Sequence, residues 1–263
     1  MFKHWKLSLL VLAALAMPFA TQAQTKPAPA PKRDLTGIWE PVRALDGIQP
    51  SGARDMPADG KPQHELPYTP YGREMASKNK TSNGPNQVPS SEENDPGHMC
   101  DPLGFPRANL FELRATQYLQ TPQQLIMLYT FDKTWRTIWS DGRALPKDPD
   151  PHWYGYSVGK WTDDYTFVVQ TVGTDDRTWV DNAGRPHSEE MKIEEVFHRI
   201  DHDNMELTMT LDDPKVYTKP WVALNKLPLR LKPATFEMVD MMCSPSELEA
   251  YNKRHAERGA KKK

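Results

Sequence analysis

The sequence predicts an all-β domain, mainly antiparallel, closed into an up-and-down (lipocalin-like) barrel or folded into a β-sandwich. From Leu113 onward, β-branched and aromatic residues alternate with polar ones, and short runs end at Pro, Gly, Asp or Asn turns. Few helical stretches lie between these runs to act as parallel crossovers. An open sheet of roughly eight to ten strands would expose long edges and an apolar face, which closure or a second layer removes.

The chain opens with Lys3 and Lys6, an apolar run from Leu7 to Phe19, and Thr21-Gln22-Ala23. This is the pattern of a cleavable signal peptide over residues 1–23, and the apolar run falls short of the roughly 20 residues of a membrane span. Residues 24–33 form a Pro/Ala-rich tether that favours extended conformations. About 230 residues remain, enough for one large core. The predicted location is periplasmic or secreted, with no integral span after processing.

Residues 34–112 read as an irregular wrapping segment containing the first strand, Gly37-Ile38-Trp39, and a short helix near Thr69, where Thr-Pro supplies a cap and a first-turn proline. Residues 113–258 form the β domain with its C-terminal helix. The predicted strands are Arg114 to Gln120, Gln124 to Phe131, Thr134 to Trp139, Trp153 to Trp161, Tyr165 to Val172, Lys192 to Ile200, Met205 to Leu211, Val216 to Leu224, Leu229 to Leu231 and Thr235 to Met242. Ser246 to Arg258 is the terminal helix, capped by Ser246. Residues 259–263 are a basic tail, for which a solvated end is the plainest role.

Composition excludes several classes. With 33 basic and 35 acidic residues, the formal charge of -2 provides no field for nucleic acid. The two cysteines, Cys100 and Cys243, are sent to an oxidising compartment, where an even count predicts a disulfide. His198 and His202 lie on a strand and a turn, and His152 and His187 stand alone, so no metal site is predicted. No nucleotide-binding or hydrolase motif is present, and no cofactor is expected.

One stretch interrupts the meander. Gly173 to Glu190 gathers acids, Arg177, Arg185, His187 and Trp179 into a loop on a rigid sheet, where function concentrates. Arg177 and Trp179 suit a carboxylate-bearing or ring-shaped ligand, while His187, oriented by Asp176 or Asp181, suits acid–base chemistry. The same residue types also make ordinary capped turns. Strand alternation places Glu195 and Arg199 on the side of Ile193 and Phe197, and Arg136 on the side of Ile138, which points both charged sets inward if those apolar residues mark the interior; the plainer alternative puts each on a solvated face.

The chain resembles a family of secreted bacterial β-rich proteins. The resemblance covers roughly Cys100 to Tyr251 and rests on Cys100-Asp101-Pro102-Leu103-Gly104-Phe105-Pro106-Arg107, on Trp135 to Arg143, on Trp153-Tyr154-Gly155-Tyr156-Ser157-Val158-Gly159, on Asp176-Arg177-Thr178-Trp179 with Pro186-His187-Ser188, and on Asp213-Pro214 with Tyr217 to Trp221. The turn Thr162-Asp163-Asp164-Tyr165 departs from its pattern. The resemblance implies a shared fold and secretion but carries no reaction. Gly37-Ile38-Trp39 also resembles the opening of lipocalin-type barrels, in which the indole plugs the closed end.

Two functions follow. One is a binding module for a small aromatic or amphipathic molecule in an Arg/Trp/His-lined cavity, with Arg136, Trp139, Tyr156, Trp179 and Glu195 as ligand contacts. The other is a cofactor-free isomerase, lyase or hydrolase in which His187 is the acid or base, Asp176 or Asp181 its partner and Arg177 an anion stabiliser. A structural envelope protein is a third reading. The oligomeric state is left open.

Overall fold

The structure, a computed structural model, describes residues 27–42, 51–89, 91–111, 113–239 and 241–260, without the side chains of 252 and 255–260. The expected signal peptide, the start of the tether and the last three lysines lie outside the described residues. Among the described residues no helix is long and apolar enough to cross a membrane.

In chain order the elements are β1 (Gly37–Pro41), a small hairpin β2 (Gly52–Ala53) and β3 (Met56–Pro57), α1 (Pro70–Lys78), α2 (Arg107–Leu110), β4 (Thr116–Gln120), β5 (Gln124–Tyr129), β6 (Trp135–Trp139), β7 (Tyr156–Trp161), β8 (Thr166–Val172), β9 (Lys192–Arg199), β10 (Asn204–Asp212), β11 (Trp221–Leu231) and α3 (Pro245–Ala260). The barrel alternative holds. Strands β11, β10, β9, β8, β7, β6, β5 and β4 follow one another around the wall, and β1 pairs with both β11 and β4 to close it.

A strictly up-and-down path is corrected by one seam. With nine strands the wall cannot alternate direction all the way round, and β6 and β7 run parallel, Ile138 opposite Ser157 and Trp139 opposite Val158. The connection 140–155 must therefore carry the chain from one end of the barrel to the other. It forms much of the candidate site.

Alternation along the strands sorts the side chains as the sequence pattern requires. Leu125, Met127 and Tyr129 on β5, Phe167 and Val169 on β8, and Met205, Leu207, Met209 and Leu211 on β10 are buried, with their neighbours turned outward. Trp39 is also buried. Its indole donates to Leu35 O at 2.9 Å, and the Arg199 guanidinium lies 4.6 Å above its ring.

Four predicted strands are corrected. Val216 to Leu224 and Leu229 to Leu231 are parts of one element, because β11 begins at Trp221 and runs through Pro228 to Leu231. Val216 belongs to a turn in which Asp213 accepts the Lys215 and Val216 amides. Thr235 to Met242 is not a strand; a single bridge joins Met241 to Phe131. Finally, β7 starts at Tyr156 rather than Trp153, since Gly155 takes a positive φ of 62° and turns the chain there.

The wrapping segment is more ordered than its composition suggests. Thr69 caps α1 by accepting the Gly72 amide at 3.0 Å, and Gly72 packs so closely on Val216 that an added Cβ would lie 2.2 Å from its carbonyl oxygen. The segment also brings Cys100 to Cys243, whose Cα atoms are 5.3 Å apart, forming the predicted disulfide across 143 positions of sequence.

Candidate functional site

The inward charges form a buried ion pair. Arg136 on β6 reaches across the barrel to Glu195 on β9, Nη2 to Oε2 at 2.6 Å, and also donates to Ser157 and Thr171. Asn109 on α2 donates to the other Glu195 oxygen at 2.9 Å, and Phe105 lies flat against the guanidinium at 3.7 Å. Burial and the nearby Glu195 carboxylate push the Tyr129 phenol well above its ordinary range. These groups are buried inside the barrel, where a ligand-lined hollow was expected. A buried, hydrogen-bonded ion pair of this kind favours one inner arrangement of side chains.

The loop after β8 divides into two halves with different work. Gly173 turns it with a φ of 65°, packing on Pro149, while the His152 amide donates to Gly173 O and the Asp175 amide to His152 O. The β6–β7 connection and the site loop are thus zipped together. In the first half, Asp175 accepts Arg177 Nε at 2.9 and 3.1 Å and Nη2 at 2.5 Å, and the guanidinium lies 4.4 Å above the Trp153 ring. Arg177 holds the Asp175 carboxyl below its ordinary range.

The second half is a docking platform. Asp181 accepts the Ala53 amide at 2.9 Å and Arg185 Nη1 at 3.1 Å, Asn182 accepts the Gly52 amide, and together they anchor the β2–β3 hairpin. Trp179 is buried beneath Arg107, 5.7 Å from its ring, and Arg107 is itself paired with Asp95 through two bonds of 2.6 Å.

His187 is 2% exposed, and its hydrogen-bond partners are the Thr178 hydroxyl at 2.8 Å and Ser188 O at 3.3 Å. Neither Asp176, which is exposed, nor Asp181 is hydrogen-bonded to it. Burial lowers its pKa, partly opposed by Ser188 and by Asp213. The expected His–Asp–Arg set is not joined by hydrogen bonds: Arg177 is exposed, His187 is buried, Asp181 is bonded to the hairpin, and Asp175 and Asp176 act on His187 only through their charge.

Arg177 lines an outer cleft of about 410 Å³, within the size range of small-molecule sites. Its lining includes Trp135, which is 64% exposed, together with Trp153, Tyr154, His152, Asp175 and Arg177. Tyr154 rests on Tyr129, ring centroids 5.9 Å apart, and burial pushes its phenol up to about 12. None of Arg136, Trp139, Tyr156, Trp179 and Glu195, the residues expected to touch ligand, lines this cleft.

Trp139 and Tyr156 stand on the outer wall. Asp141 accepts Arg143 Nε at 2.9 Å and Nη2 at 2.6 Å, Arg143 stacks 3.7 Å over the Trp139 ring, and its Nη1 donates to the Tyr156 hydroxyl at 3.2 Å. This repeats the arrangement of Asp175, Arg177 and Trp153. The missed signal was an Asp-x-Arg pair occurring twice, each with its arginine over a half-buried tryptophan. Comparisons with protein-family models, with curated proteins and with solved structures return no match for this chain.

Proposed function

We propose that the protein is a binding protein that holds a small amphipathic, ring-bearing molecule in the outer cleft between Trp135 and Trp153. One observation carries the reading: Arg177, with 68% of its side chain exposed, is fixed over Trp153 by Asp175 and lines a cleft that the exposed indole of Trp135 also lines. A long side chain held in this way loses little freedom on meeting a ligand, so the polar edge is pre-oriented and the aromatic walls supply apolar area. His187 bonds the Thr178 hydroxyl next to Arg177, and it is buried without a hydrogen bond to Asp176 or Asp181, which gives acid–base catalysis less support.

Location in the periplasm or outside the cell is part of the proposal. The Cys100–Cys243 disulfide and the N-terminal sequence pattern support it, as does the resemblance to secreted β-rich proteins.

The test is a thermal-shift screen of ring-bearing compounds on the full chain, followed by fluorescence titration of any hit with Trp135→Ala and Arg177→Ala. Each variant is expected to weaken binding about fivefold or more while folding normally. Binding that is unchanged in both variants, or no hit at all, rejects the cleft as the site.

A further inference from the structure

Besides the cleft, the outer wall along the parallel seam carries a second Asp–Arg–Trp clamp. Trp135 and Trp139 both point outward from β6, four residues and roughly 13 Å apart on the same face. Beside Trp139 on β7 lies Val158, so Tyr156 belongs to the same outer face. At the Trp135 end sits the Asp175–Arg177 clamp on Trp153, and at the other the Asp141–Arg143 clamp on Trp139.

The chemistry of the two clamps agrees. Each arginine is turned edge-on to its aspartate and laid over an indole, which fixes its plane and neutralises its charge. Among the described residues, Arg177 makes hydrogen bonds through its amide, Nε and Nη2, and 68% of its side chain is exposed. Asp101 and Asp176 also act on Arg177, so an anionic ligand would meet three carboxylates around one guanidinium. A cationic one would meet the two arginines. What suits such a surface is a neutral ligand, with flat C–H faces for the aromatics and hydroxyls for the fixed Arg and Asp edges.

We infer that the ligand is a neutral glycan chain, lying along the β6–β7 seam from the Trp135–Trp153 cleft to the Trp139–Arg143–Tyr156 clamp. This rests on the cleft being the primary site, and it adds the ligand's class and length. A chain of four or more sugar rings reaches both clamps, whereas a disaccharide occupies the cleft alone. The competing view is that each Asp-x-Arg pair merely stabilises its own turn through the Asp oxygen that accepts the Arg amide.

The experiment is calorimetric titration of the full chain with β-linked glucose and N-acetylglucosamine hexamers, the matching disaccharides, a uronic-acid hexamer and a glucosamine hexamer. A neutral hexamer is expected to bind at least about tenfold more tightly than its disaccharide, and more tightly than either charged hexamer. Arg143→Ala and Trp139→Ala should remove most of that length advantage and leave disaccharide binding within about twofold. Circular dichroism and melting curves confirm that both variants fold, and Arg143, on an exposed loop, is the safer of the two. Tighter binding of a charged hexamer, equal loss for both chain lengths, or no binding of any neutral hexamer overturns the glycan assignment. In the last case, retained binding of small ring compounds sensitive to Arg177→Ala keeps the cleft itself, and absence of that binding removes both.

Discussion

Arg136 and Glu195 meet across the inside of the barrel, 2.6 Å apart, although their strands are separated around the wall by β7 and β8. The pair ties opposite parts of the wall to one another and, through Asn109, to α2. Truncating one partner leaves the other buried without a counter-charge. Glu195→Ala should therefore lower stability by about 3–5 kcal/mol, read as a fall in the urea midpoint. The double variant Arg136→Met/Glu195→Leu should recover much of the loss, because no orphan charge remains. A single variant with wild-type stability would show that the pair is dispensable.

The disulfide closes a far longer loop than any turn in the domain. Chain entropy assigns a cross-link over 143 positions on the order of 5 kcal/mol. Cys100→Ser/Cys243→Ser should unfold at markedly lower denaturant, and adding reductant to the double variant should have no further effect. If the variant and the oxidised parent share one midpoint, the bond does not constrain the unfolded chain as that model requires.

His187 links stability to pH. Burial depresses its folded-state pKa below the ordinary value of 6.5, so the unfolded chain takes up the proton first. Its contribution is fully present above pH 6.5 and is lost as pH falls from there through the lower folded value. Denaturation midpoints measured from pH 8 to pH 5 should fall more steeply for the parent than for His187→Gln, by at most about 1.4 kcal/mol per pH unit. Parallel curves would mean that His187 does not titrate differently in the two states.

Asp213 is buried and holds Ser188 through two bonds, the amide at 2.6 Å and the hydroxyl at 2.9 Å. It joins the second half of the site loop to the turn after β10. Asp213→Ala leaves several buried donors unsatisfied, and a loss of about 2–4 kcal/mol is expected, with faster amide exchange over residues 186–190. Exchange unchanged in that stretch would locate the anchor elsewhere.

The β content, most strand positions, the cap at Thr69 and the inward direction of Arg136, Glu195 and Arg199 were legible in the sequence. Each follows from a period of two or from a local turn, and such signals act between near neighbours. The errors have the same origin. The predicted runs stop at Leu224 and resume at Leu229, yet β11 carries through the gap, and among the described residues of 235–242 only Met241 forms a bridge.

The site was legible only in part. The Gly173–Glu190 loop supplies Asp175 and Arg177 to the proposed cleft, whereas His187, Asp181 and Trp179 are buried, and Trp135 and Trp153 come to the cleft from elsewhere in the chain. By itself, the sequence determined which residues alternate, where the chain turns and that two cysteines were present to pair. The tertiary structure alone decided that nine strands close, that closure forces a parallel seam, and that the crossing connection meets the loop after β8. Side-chain period is a property of one strand, whereas closure and cleft depend on which distant strands meet, and that is settled by burial summed over the whole barrel.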